Sequence, residues 1–226
     1  MIRGTTAGLS GSGLILEMND GSDLPVETNG AFRFPAPLPA GTAYNVRIKY
    51  QPAATHEICS VTNGSGVIGN EDISNLVVDC TIAAGFVYVV DPGSQIAVYG
   101  ITPGTGAPIS AGTFAATPTI YGIVAAPSGN YLYVLSRQPD RISTFAIDPN
   151  HGGLTEIQSV ATGSGPYPIV MSADGSFVFV GDMGTNAVQS FTVDSSTGAL
   201  TAAGTLQLPS YAQVRFPKYP YSELFL

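Results

Sequence analysis

Apolar residues along this chain come in short runs broken by Gly, Pro, Asn and Asp, and within the runs apolar and polar positions tend to alternate. A period of two is the pattern of half-buried strands, and no stretch sustains the three-to-four spacing of a long amphipathic helix. In the first part of the chain the pattern predicts strands at Gly13 to Met18, Ala31 to Phe34, Tyr44 to Tyr50, Ile58 to Thr62 and Asn75 to Cys80. Turn chemistry separates them: Asn19-Asp20-Gly21-Ser22-Asp23 suits a hairpin turn, Asn29-Gly30 a type I′ turn, and Pro35 to Gly41 a proline-rich connection. About five to seven such strands make a small sandwich, so residues 1–83 are expected to form a β-sandwich module.

From Gly85 the chain repeats itself. FVYVVD (Phe86 to Asp91), YLYVLS (Tyr131 to Ser136) and FVFVGD (Phe177 to Asp182) start 45 and 46 residues apart. Each leads into a second strand, QIAVYGIT from Gln95, RISTFAID from Arg141 and AVQSFTVD from Ala187, with Tyr99, Phe145 and Phe191 in equivalent places. Third strands follow polar turns at Thr105-Gly106, Gly152-Gly153 and Thr197-Gly198, and YGIVAAPSGN and YPIVMSADGS supply a fourth element. Four short strands in a repeat of this length make a β-propeller blade, so residues 84–226 are expected to hold about three blades. The first lacks an inner strand before Phe86, and after Pro209 the repeat fails in the tail YAQVRFPKYPYSELFL. A propeller closes with about four to eight blades. Three therefore leave strand edges and sheet faces to be covered by another copy of the chain, by the N-terminal module, or by the rest of a longer parent.

The inner strand and turn sequences PSGNYLYV (Pro127 to Val134) and ADGSFVFV (Ala173 to Val180) resemble those of the lactonase-like β-propeller family. That family includes enzymes that open sugar lactones, so the resemblance implies a lactone hydrolase as the activity of a complete parent. The preceding module, through GLSGSGLIL (Gly8 to Leu16), NGAFRF (Asn29 to Phe34), AYNVRI (Ala43 to Ile48) and CSVTNGSGVI from Cys59, resembles a small Ig-like or prealbumin-like β-sandwich of bacterial secreted and lipid-anchored surface proteins. Such modules serve as spacers or adhesion units, which implies location more than activity.

Charge narrows the partners. Sixteen Asp plus Glu against 8 Lys plus Arg give a net charge of −8, which repels a phosphate backbone, so nucleic acid is not an expected partner. No apolar run approaches the roughly 18 to 20 residues of a membrane span. Met1 is followed by Ile-Arg-Gly-Thr-Thr and not by a basic and then apolar leader, so no signal peptide is expected in this chain. Cys59 and Cys80 flank a turn-rich stretch that can fold back as a hairpin, and a disulfide between them is the preferred reading, with an oxidising, extracytoplasmic compartment as its consequence. Two buried thiols in a cytosolic protein are the alternative. A zinc site needs about four ligands, and only His56 lies nearby.

Candidate chemistry is sparse. His56 and His151 are the only histidines, and His151 sits in the turn DPNHGGLT. The Asn19 to Asp23 cluster offers oxygen ligands to a hard cation but lacks the bidentate Glu of an EF-hand, so a hairpin turn explains it. Asp91, Asp148, Asp182 and Asp194 recur at strand ends, where carboxylates cap turns. Gly11-Ser12-Gly13 and Gly163-Ser164-Gly165 have no base in view and are not nucleophile elbows. Tyr88, Tyr131, Tyr133, Phe177 and Phe179 suit either a sugar platform or core packing, and their alternation favours the core. No catalytic, cofactor or metal residue is assigned.

The first expectation is thus a non-catalytic, secreted or cell-surface interaction scaffold whose partner is a protein or glycan at the cell surface or further copies of itself. A fragment of a lactonase-like propeller hydrolase is the second, and self-assembly through open blade edges the third.

Overall fold

The structure, a computed structural model, describes residues 1–53, 56–91, 95–115 and 119–209. Among the described residues all regular structure is strand, and no helix is long and apolar enough to cross a membrane. The chain clusters into two compact units, one of Met1–Val89, Ala97–Phe114 and Pro149–Gly153, the other of Val90–Ile96, Ala115–Asp148 and the residues from Leu154.

The first unit begins with eight strands: β1 (Ile2–Ala7), β2 (Leu14–Met18), β3 (Ser22–Val26), β4 (Gly30–Arg33), β5 (Ala43–Tyr50), β6 (Glu57–Thr62), β7 (Ser65–Val67) and β8 (Ile73–Ile82). They make two four-stranded sheets, ordered β4-β1-β8-β6 and β3-β2-β5-β7. Ile2, Leu76 and Val78 from one sheet and Leu14, Leu16 and Val46 from the other share a single apolar core. Cys59 and Cys80 are direct cross-strand partners on β6 and β8 and form a disulfide. The segment between them is more than a hairpin loop, because β7 leaves to pair with β5. Asn29-Gly30 does not close a hairpin either: β3 and β4 lie in different sheets, and the Asn29 amide instead brackets Leu9, accepting its N–H and donating to its carbonyl, both at 2.9 Å.

The repeats form β9 (Phe86–Val90), β10 (Gln95–Ile101), β11 (Pro108–Ala115), β12 (Ile120–Ala125), β13 (Tyr131–Ser136), β14 (Arg141–Ile147), β15 (Leu154–Ala161), β16 (Pro166–Met171), β17 (Phe177–Asp182), β18 (Ala187–Val193) and β19 (Leu200–Gln207). The sheets are β11-β10-β9, β12-β13-β14-β15 and β16-β17-β18-β19. The last two are four-stranded antiparallel blades, and the first is a blade without its inner strand. The tail from residue 210, read above as an atypical end of the repeats, lies outside the described residues.

One packing device recurs. Tyr133 donates its hydroxyl to the Gly198 carbonyl at 3.1 Å, while the Tyr131 ring covers Gly198 so closely that a Cβ there would overlap it. In the first unit Tyr88 donates to the Gly152 carbonyl at 3.0 Å, and the Phe86 ring covers Gly152 in the same way. Both glycines have positive φ, +72° and +73°, so the turn needs glycine for its backbone and for the ring above it. Behind these turns Tyr133, Leu135, Ile142, Ile169, Val178, Val180 and Phe191 form the core between the second and third blades.

Candidate functional site

Strand β17 ends at Asp182, one of the four aspartates expected to cap turns. Asp91 and Asp194 do cap: Asp91 Oδ1 accepts the Gln95 N–H, and Asp194 Oδ1 accepts the N–H of Ser196 and Thr197 and the Ser196 hydroxyl. Those bonds, the Ser196 hydroxyl first, hold the Asp194 carboxyl below its usual range. Asp182 departs from the expectation. It is 2% exposed, caps no turn, and its Oδ1 finds no hydrogen-bond partner among the described residues.

The Asp182 carboxyl lies flush against the backbone of Gly163, where any Cβ would overlap Oδ2. Gly163 belongs to the short strap 162–165 joining β15 to β16, and the strap is tied down along its length. Thr162 donates its N–H to the Asp140 carbonyl at 3.2 Å, Gly163 to Gln189 Oε1 at 3.0 Å, and Gly165 to Asp140 Oδ2 at 3.0 Å. Arg137 donates from Nε to the Pro166 carbonyl and from Nη2 to that of Gly165, each at 3.2 Å, and its guanidinium stacks 3.9 Å from the Tyr121 ring centroid. Loss of hydration and the nearby Asp140 charge push the Asp182 carboxyl up. The result is a buried carboxyl that keeps its proton to higher pH than an exposed one, with the charge of a second carboxylate, Asp140, acting on it. Ser136, in the equivalent place one repeat earlier, is also buried with an unpartnered hydroxyl. An open depression of ≈ 250 Å³ on the third blade, lined by Ala161, Gln189, Phe191 and Ala202 to Thr205, shares Gln189 with the strap.

The other candidate residues fall in structural roles. His151 Nδ1 accepts the Gly153 N–H within its turn, and the His56 ring lies 5.7 Å from Phe86. Asp20 pairs with Arg47 and Asp23 with Lys49, while the Asn19 side chain ties the hairpin to Ala43 and Asn45. Tyr88, Tyr131 and Tyr133 seat turns, as described above. Two buried acids escaped the sequence reading, Glu17 and Glu57, and the fully buried Glu57 accepts the Ser10 N–H, the Ser10 hydroxyl and the Gly11 N–H at 2.6, 3.2 and 2.7 Å. It holds the Gly11-Ser12-Gly13 segment in place and has no catalytic geometry.

Residues 86–216 match the family of lactonases with a 7-bladed β-propeller. This chain belongs to that family. No curated protein sequence matches this lactonase-family chain. Among solved structures it is similar to a putative 6-phosphogluconolactonase from Bacteroides fragilis, with 26% identity and a TM-score of 0.50 over 54% of this chain and 36% of that one. It also shares the fold of the periplasmic gluconolactonase of Pseudomonas aeruginosa (23% identity, TM-score 0.50, 60% and 40% covered). A putative 6-phosphogluconolactonase from Bacteroides uniformis shares it too (17%, 0.52, 83% and 65%). This lactonase-family chain spans between 36% and 65% of the length of those three proteins.

Proposed function

We propose that this chain is the blade-bearing part of a lactone-hydrolysing propeller that acts on a sugar lactone. The match over residues 86–216 carries the reading, and the gluconolactonase names of the similar structures agree with it. Hydrolysis joins a water oxygen to the lactone carbonyl carbon, breaks the ring C–O bond and places a proton on the ring oxygen, giving a hydroxy acid. Within the repeats, Asp182 has the chemistry for that proton, since burial keeps its carboxyl protonated above the usual range. Arg137, which follows β13 and donates to the Gly165 and Pro166 carbonyls at the end of the strap, carries a positive charge of the kind that suits the negative charge developing on the carbonyl oxygen.

The same reading divides the chain at residues 83 and 84 into an Ig-like or prealbumin-like sandwich module and the propeller repeats. It places the protein outside the cytoplasm, a location supported by the disulfide. A non-catalytic surface scaffold has no observation of its own in its favour. The test is a panel of aldonic-acid lactones with purified chain, read by acid release. Turnover of at least one above buffer is expected, and buffer rates for every lactone would overturn the proposal.

A further inference from the structure

Among the described residues Arg137 meets neutral groups only: the Pro166 carbonyl through Nε, the Gly165 carbonyl through Nη2, and the Tyr121 ring. Other cations of the chain take carboxylates, Arg3 pairing with Asp72, Arg47 with Glu17 and Asp20, and Lys49 with Glu17 and Asp23. Asp140 stands three residues beyond Arg137, yet its Oδ2 accepts the Gly165 N–H instead.

Two irregularities in the inner strands hold the guanidinium. The register of β12 on β13 shifts between Ile120↔Ser136 and Gly122↔Leu135, which makes Tyr121 the extra residue of a bulge. That of β16 on β17 shifts between Pro166↔Asp182 and Ile169↔Val180. A bulge re-aims the groups around it. The first supplies the ring that stacks 3.9 Å from Arg137, and the second begins at the Pro166 carbonyl that Arg137 binds.

What these contacts leave over follows from guanidinium geometry. Its five N–H groups share one plane. Nε and Nη2 make the side fork, which the two carbonyls fill, and the Tyr121 ring covers a face. The end fork, Nη1 with the second Nη2 hydrogen, has no acceptor among the described residues, and Arg137 is only half-buried. Two parallel N–H groups fit a carboxylate or phosphate lying in their plane, and a fork already fixed in place loses little freedom on binding one. The blade itself does not require an arginine here. Met183, 46 residues on, stands in the equivalent place of the third blade and is 68% exposed.

We infer that the end fork of Arg137 is an oxyanion site whose ligand is the carboxylate of the hydroxy acid released by lactone opening, with Tyr121 as the residue that positions the fork. The choice of a carboxylate rests on the lactone reading; the fork does not. Released product thus competes with the lactone for this cation.

Calorimetric titration of the full chain near neutral pH tests it with three probes. Gluconate carries a carboxylate and no phosphate, glucose 6-phosphate the reverse, and glucose neither. Gluconate is expected to bind one to one, and glucose at least about tenfold more weakly. Arg137→Gln is expected to weaken gluconate by at least about tenfold. Arg137→Lys keeps the charge but not the fork and is expected to weaken it about fivefold; it carries the test if Arg137→Gln fails to fold. Tyr121→Phe is expected to keep the affinity and Tyr121→Leu to lower it about threefold, while Arg33→Gln, at an exposed position, leaves it unchanged. Binding of glucose 6-phosphate through Arg137 in place of gluconate would keep the fork and assign it to phosphate. No saturable binding of either anion, glucose bound as tightly as gluconate, or a gluconate affinity untouched by both Arg137 variants would overturn the inference. Binding of gluconate that depends on Arg137 in a chain that opens no lactone would overturn the lactone reading alone; lactone turnover without such binding would overturn this inference alone.

Discussion

The hydroxyl of Tyr133 reaches the carbonyl of Gly198, 65 residues later in the chain, and so fastens the second blade to the outer turn of the third. Burial pushes the Tyr133 phenol up to about 12, so it remains a donor at any physiological pH. Tyr133→Phe removes the donor but keeps the ring, and is expected to cost about 1 kcal/mol in urea unfolding. Gly198→Ala disturbs both the positive-φ turn and the Tyr131 ring and is expected to cost more, about 3 kcal/mol. A Gly198 variant as stable as wild type would show that the ring does not sit on the turn.

Glu57 is the buried acid on which the segment around Gly11 depends. Glu57→Ala leaves two backbone N–H groups and a hydroxyl without their acceptor. A loss of about 3 kcal/mol is expected, measured by the denaturation midpoint. Glu17→Ala removes a buried carboxylate shared by Arg47 and Lys49, but both cations keep a second partner in Asp20 and Asp23 and reach solvent themselves, so it is expected to change the midpoint less than Glu57→Ala.

The disulfide closes a sequence separation of 21 residues. Replacing both Cys59 and Cys80 by Ala is expected to destabilise the chain by about 3 kcal/mol. Intact mass should rise by two hydrogens on reduction, and free thiols in protein prepared without reductant would contradict the bond.

Acid and base act oppositely on two aspartates. The native Asp182 carboxyl titrates above its unfolded value, so its ionisation subtracts stability as pH rises from the ordinary carboxyl range through the raised native value. Asp194 titrates below its unfolded value, so its contribution is complete above the ordinary range and is lost as pH falls through the native value. Asp182→Asn should therefore raise Tm near neutrality and gain little in mild acid, whereas Asp194→Asn should lower Tm near neutrality and matter less in acid. Thermal melts across pH would show both trends; parallel curves for Asp182→Asn and wild type would contradict the first.

Much of this fold was legible because the blades repeat: Tyr99, Phe145 and Phe191 keep their spacing and sit on matching strands β10, β14 and β18. Strands whose inward positions are small or polar were not. β1 points Ile2, Gly4 and Thr6 inward, and Gly4 is needed because Leu76 and Phe32 leave no room for a side chain, so no apolar alternation marks it. β3 contains Pro25 and two exposed positions, tolerable because it lies at a sheet edge. Asp182 is expected to cap a turn because it recurs at a strand end with Asp91, Asp148 and Asp194. What sets it apart is tertiary, the Gly163 strap pressed against its carboxyl. The available hint was that Ser136 stands in the same place one repeat earlier, so the carboxylate is not a rule of the repeat.

The central claim, lactone opening centred on Asp182, is tested most directly by comparing the rates of wild type and Asp182→Asn on the best lactone of the panel, with Asp194→Asn as the control. The account expects Asp182→Asn to lose about a hundredfold or more in kcat/KM while folded and at least as stable as wild type near neutrality, and Asp194→Asn to keep its rate. Equal rates for Asp182→Asn and wild type would contradict it.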